Sequence, residues 1–133
     1  MSEEFYTRPI FRVRDVAASL DYYREKLGFT NAWCAPDVAP VIAQVSRNGL
    51  EIILDAQSAI PKASNPSVLS MTLHRPEELG ALHRELKRRG ATIAAAPFEV
   101  VWEKGLYQLD VVDLDGNVLV FWGDGPKEDV PQR

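Results

Sequence analysis

Two stretches of the chain follow one plan. Arg8 to Val13 reads as a strand running into a helix that closes at Leu27-Gly28-Phe29, and Val68 to Leu73 reads as a strand running into a helix that closes at Arg89-Gly90-Ala91. Each stretch then ends in a hairpin, the first turning at Asn48-Gly49 and the second at Asp115-Gly116. The closing glycines stand 62 positions apart and the hairpin glycines 67 apart, so the two copies differ by about one short loop. This is an internal repeat of a βαβββ unit. Units of this kind must pack to bury their apolar faces, which makes a cleft between them the expected place for chemistry. The expected fold is α+β, with two βαβββ modules forming a curved mixed sheet around that cleft. The boundaries expected within a single domain over 1–133 are a first module at 8–55, a linker at 56–67, a second module at 68–123 and a flexible tail at 124–133.

A chain of 133 residues can bury enough surface to fold without a disulfide or structural metal. The lone Cys34 cannot form an internal disulfide and reads as a small core or strand residue. The acidic start, Met-Ser-Glu-Glu-Phe, lacks the basic region and apolar core of a signal peptide, and no stretch is apolar enough to span a bilayer. These features lead to the expectation of a cytoplasmic protein with no membrane partner. A net charge of −4 argues against a nucleic-acid partner, which needs clustered cations. The one basic run, Lys87-Arg88-Arg89, falls in the last turn of the second helix, where cations face the negative end of the helix dipole.

Asp15 is placed to cap the first helix, and Val16, Leu20, Tyr23 and Leu27 follow at helical spacing. The second helix is expected to open at Pro76, with Glu77 and Glu78 in its first turn and Leu79, Leu82 and Leu86 on its apolar stripe. His83, with no acidic or histidine neighbour at metal spacing, reads as a boundary residue. The remaining segments alternate with period two: Leu50, Ile52 and Leu54 against Glu51, Ile53 and Asp55, and Leu119 and Phe121 against Val118, Val120 and Trp122. In the fifth strand Leu69, Met71 and Leu73 are expected on the helix side, which turns Ser70, Thr72 and His74 to the other face.

The phrases Phe11-Arg-Val-Arg-Asp-Val-Ala-Ala-Ser-Leu-Asp-Tyr-Tyr-Arg-Glu-Lys-Leu-Gly-Phe29 and Val111-Val-Asp-Leu-Asp-Gly-Asn-Val-Leu-Val-Phe-Trp122, set in paired βαβββ units, resemble the vicinal oxygen chelate superfamily. It includes glyoxalase I, fosfomycin resistance proteins, extradiol dioxygenases and bleomycin resistance proteins. The second phrase is similar to the family's Asp-Pro-x-Gly-Asn hairpin, with Leu114 where Pro is usual. In the metal-using members, one inward side chain on the first and one on the last strand of each unit hold a divalent cation. The matching positions here carry Arg8, Glu51 or its neighbour Ile53, Val68 or Leu69, and Val120. A guanidinium and hydrocarbon do not ligate, and one carboxylate is too few donors. The expectation is therefore no metal and no other cofactor. A rescue site could be drawn from Glu51, Asp55 and His74, but nothing in their spacing predicts that they converge, and no nucleophile, base and orienting acid are recognisable, so no catalytic residue is named.

The branch of the superfamily that the chain resembles in lacking metal ligands is the bleomycin resistance group, small acidic homodimers that sequester a cationic aromatic antibiotic in crevices between subunits. The resemblance implies a ligand-binding homodimer with a small-molecule partner, antibiotic resistance being one such role. The binding residues expected are Trp102, Trp33, Trp122, Glu51, Asp55, Asp110 and Arg8. An indole face stacks on a planar ligand and attracts a cation, and carboxylates orient it. Each Trp reads equally as core or interface filling, and Arg8 and Arg12 either favour an anionic ligand or pair with Glu51 and Asp110. Two further readings stay open: a metal-dependent enzyme of the same superfamily with an atypical site, and a non-catalytic interaction module.

Overall fold

The computed structural model describes residues 4–57 and 66–125. Most of the 56–67 linker and of the 124–133 tail thus lies outside the described residues. The chain divides into two compact units after Ser67.

The first unit runs β1 (Ile10–Arg12), α1 (Val16–Glu25), β2 (Thr30–Ala35), β3 (Ile42–Arg47) and β4 (Leu50–Asp55). The second runs β5 (Val68–Thr72), α2 (Glu78–Arg89), β6 (Thr92–Glu99), β7 (Leu106–Val112) and β8 (Val118–Asp124). Each makes one four-stranded mixed sheet, ordered β1-β4-β3-β2 in the first unit and β5-β8-β7-β6 in the second. In both, the first strand lies parallel to the last and the other pairs are antiparallel. A repeat legible as spaced glycines is thus a repeat of topology. None of the helices formed by the described residues is long and apolar enough to cross a membrane.

Alternation builds each core. In the first unit Phe11, Val13, Ala43, Val45, Ile52 and Leu54 are buried, while α1 presents Val16, Leu20 and Tyr23. Tyr23 meets Phe29 edge to face at 5.4 Å between centroids. Each such large side chain contributes about 1.5–3 kcal/mol on burial. In the second unit Leu109 and Val111 of β7 stand opposite Phe121 and Leu119 of β8, all four buried, and Leu79 and Leu86 come from α2. Gly123 lets α2 approach β8, since a Cβ there would meet the Leu79 side chain at 3.2 Å.

Local chemistry fixes the corners. Asp15 is extended and its Oδ1 accepts from Ala18 N at 3.1 Å, which caps α1. Asn48 (φ 51°) and Gly49 (φ 85°) form a two-residue loop between Arg47 and Leu50, the left-handed pair a primed hairpin turn requires. The second hairpin is organised from two residues earlier than Asp115-Gly116-Asn117 suggests. Asp113 is buried, and its Oδ1 accepts from Asp115 N at 2.8 Å and Asn117 N at 2.9 Å. Its Oδ2 accepts from Asn117 Nδ2 at 3.1 Å.

Two expectations change. The second helix opens at Glu78 rather than Pro76, because residues 75–77 form a turn in which Glu77 is left-handed (φ 75°) and the Glu78 carboxylate reaches back to Arg75 N at 2.9 Å. The final strand continues through Asp124, the first residue of the expected tail, because Asp124 still pairs with Leu106. Replacing Asp113 with Ala strips three hydrogen bonds from a buried turn, and we expect a loss of about 2–3 kcal/mol in urea unfolding. A loss under about 1 kcal/mol would contradict this assignment.

Burial, then Lys87 and Arg84 nearby, hold the His83 imidazole below its ordinary value of 6.5. The unfolded chain then binds a proton more readily than the folded one, so stability falls as pH drops through this region. His83→Gln is expected to flatten urea midpoints between about pH 7 and pH 5, and an unchanged slope would refute the role.

Candidate functional site

Because a helix covers one face of each sheet, polar side chains collect on the other. On that face of the first unit, Gln44 of β3 is the centre, buried to 6% exposure. Its Oε1 accepts from Arg8 Nη1 at 2.8 Å and from Trp33 Nε1 at 3.2 Å, and its Nε2 donates to Ser46 Oγ at 3.3 Å. Two N–H donors on one oxygen fix which way the amide points. β4 lies between β1 and β3, so the Arg8 side chain must cross β4 to reach Gln44. The Arg8 guanidinium also lies 5.4 Å from the centroid of the Tyr6 ring.

Glu51 belongs to this face. It stands opposite Ser46 in the β3–β4 ladder, and continuing the parallel β1–β4 register two residues back from Ile10 and Ile53 sets it beside Arg8. Its Oε1 is buried without a hydrogen-bond partner. An acceptor left in this state costs about 1–3 kcal/mol. No ion pair joins it to Arg8 among the described residues, so the pairing of these two groups weighed from the sequence is absent. Asp55 stands apart from the group. It is buried, and its Oδ1 accepts from Gln57 N at 2.9 Å, closing the turn after β4.

In the second unit the same face carries an aromatic pair. Trp122 of β8 donates from Nε1 to Gln108 Oε1 at 2.8 Å, and Gln108 Nε2 donates to Asp110 Oδ1 at 2.8 Å. Trp102, in the β6–β7 connection, meets Trp122 edge to face at 5.9 Å between centroids. Trp102 is 61% exposed, and Trp33 in the first unit is 40% exposed. The loop that carries Trp102 is pinned by Glu99, whose carboxylate accepts from Gly105 N at 2.7 Å, with Gly105 left-handed at φ 87°.

The expected site residues therefore form two groups: Arg8, Trp33 and Glu51 in the first unit, and Trp102, Trp122 and Asp110 in the second. The glutamines that organise them, Gln44 and Gln108, were not singled out in the sequence. Their one signal is that each sits on an alternating strand at an outward position between core residues, Ala43 and Val45 for Gln44, and Leu109 beside Gln108.

The residues at the superfamily's metal positions do not fit a cation. Arg8 holds Gln44, Val68 is exposed hydrocarbon and Val120 is buried hydrocarbon, which leaves the Glu51 carboxylate as the one donor. Among the described residues, no three His, Cys, Asp or Glu side chains gather closely enough to hold a metal ion. His74 is an exposed residue after β5 in the second unit, whereas Glu51 and Asp55 belong to the first.

Comparison with known proteins bears on the fold. A sequence search of curated proteins finds no significant match. Among solved structures, a glyoxalase/bleomycin resistance protein/dioxygenase from Alicyclobacillus acidocaldarius is similar with a TM-score of 0.74 at 17% identity, over 89% of both chains. A protein of the same description from Nocardioides gives 0.71 at 17% identity, covering 100% of this chain and 91% of the other. TioX from Micromonospora sp. ML1 gives 0.68 at 15% identity, covering 97% of this chain and all of TioX. The family model described as the Glyoxalase/Bleomycin resistance protein/Dioxygenase superfamily matches residues 6–121. With nearly the whole βαβββ repeat inside that match, the chain belongs to the glyoxalase/bleomycin resistance protein/dioxygenase superfamily.

Proposed function

We propose that this chain is a metal-independent binding protein of the bleomycin-resistance kind, which sequesters a small aromatic or cationic molecule and works as a homodimer with its crevices between protomers. The observation that carries this reading is the anchored aromatic pair of Trp122 and Trp102. The Trp122 N–H is committed to Gln108, and Trp102 stands against Trp122 with most of its own surface open. An indole whose polar edge is tied down offers its face without first losing rotamer freedom, which lowers the cost of binding a flat ligand. Asp110, held by Gln108, adds a carboxylate on the same strand face, suited to a cationic substituent.

The metal-dependent alternative needs three or four donors, and the side chains at the matching positions supply one. Elemental analysis of protein purified without chelator separates the two readings. We expect substoichiometric zinc, nickel, iron and manganese, whereas one tightly held ion per chain would favour the enzyme.

Titration with planar cations such as acriflavine is expected to change tryptophan emission saturably. Trp102→Ala should weaken binding about fivefold to tenfold, the value of one lost stacking or cation–π contact. A panel of planar cationic and neutral compounds that leaves the emission unchanged would refute the binding reading.

A further inference from the structure

The first unit carries a second recognition element that the aromatic pair does not explain. Its parts are an acceptor, a donor and a wall. Glu51 Oε1 is buried and has no partner. The Arg8 guanidinium, carried across β4, is held by a hydrogen bond to Gln44 Oε1, and its other N–H groups have the planar fork geometry that suits a carbonyl or carboxylate. Trp33, tied through Nε1 to the same Gln44 oxygen, presents a half-open indole next to them. Gln44 is the common anchor: one buried amide fixes both the cation and the ring, and its nitrogen is engaged with Ser46, the residue opposite Glu51.

Resting on the binding reading above, we infer that this face reads an adjacent donor and acceptor on the edge of a flat ligand, an amide or lactam edge, with the ligand N–H given to Glu51, its carbonyl taken by Arg8 and its ring laid against Trp33. The juxtaposition disfavours a simple cation here, because the guanidinium would repel it, and equally a simple anion, because the carboxylate would. A neutral edge with its own dipole satisfies both. A buried polar group that a ligand leaves unpaired is a strong source of discrimination, so removal of the ligand's single N–H should be felt.

The test uses the full chain and matched pairs of planar lactams, isoquinolin-1-one and quinazolin-4-one against their N-methyl derivatives, followed by tryptophan emission. The N–H compounds are expected to bind about tenfold to a hundredfold more tightly than the N-methyl compounds, the equivalent of one hydrogen bond to a charged group. In Glu51→Ala, checked for folding by circular dichroism, that ratio should fall towards unity. Equal affinity for both members of each pair in the parent protein would overturn the inference without touching the binding reading. A ratio that survives Glu51→Ala would overturn it too, because the N–H would then be read elsewhere. If neither lactams nor planar cations perturb the emission, both readings fall together.

Discussion

Each sheet is closed on one face by its helix, and where the pleat is regular, as in β3 and β4, a residue on a strand is either against the helix or on the opposite side. In the first unit this assigns Phe11, Val45, Ile52 and Leu54 to the core, and sends Gln44, Ser46 and Glu51 to the other face as a consequence rather than as separate choices. A slip of one residue in β3 would bury the Gln44 amide against α1 and expose Val45. The hydrophobic register that stabilises the unit is therefore the same register that gathers its polar residues. The two-residue turn at Asn48-Gly49 locks it, since a different loop length would change which β3 residue faces Glu51.

Both units fix an indole in one way, by giving its N–H to a glutamine oxygen, yet the partners come from different strands. In the first unit the indole is on β2, on the outer side of the β3 glutamine. In the second it is on β8, on the inner side of the β7 glutamine. The amide nitrogens of the two glutamines also diverge, going to a hydroxyl at Ser46 and to a carboxylate at Asp110. The topology was duplicated, but the side chains on these faces no longer match position for position.

Spacing carried the topology well and the chemistry in part. Glycines with positive φ at 28, 49, 90 and 116, together with the Asp15 cap, are local signals that act through the backbone, so they can be read without tertiary information. The start of α2 was misplaced because Pro76 satisfies the general preference for a first helical residue, while the Glu78 side chain, bonded to Arg75 N, holds the preceding turn out of the helix. Asp113 was passed over for the same kind of reason: Asp115-Gly116 has the turn signature, but the bonds that hold the loop come from a carboxylate two residues earlier. Trp33, Trp102, Trp122, Glu51, Asp110 and Arg8 were legible as residue types capable of recognition, though not their division into two groups. Gln44 and Gln108 were marked only by an outward place on an alternating strand, because a neutral amide carries no charge to single it out, and its importance arises from which N–H groups fold towards it.

The exchange of metal ligands for Arg8, Val68 and Val120 also changes what the remaining carboxylate can do. In a four-donor cation site, a glutamate is one of several charges neutralised by the ion. Here Glu51 has a guanidinium on the segment leading into β1, and that guanidinium is drawn over β4 onto Gln44 instead of closing on the carboxylate. Opposite charges that lie side by side without forming a pair make a local dipole across the strand face, and the desolvation of the buried Oε1 is left uncompensated by the protein itself. Retaining such an acceptor is costly for a fold whose net stability is typically only about 5–15 kcal/mol. A Leu at position 51 would relieve that cost while leaving the sheet register intact, so the carboxylate makes physical sense as a group kept for a ligand donor rather than for the fold.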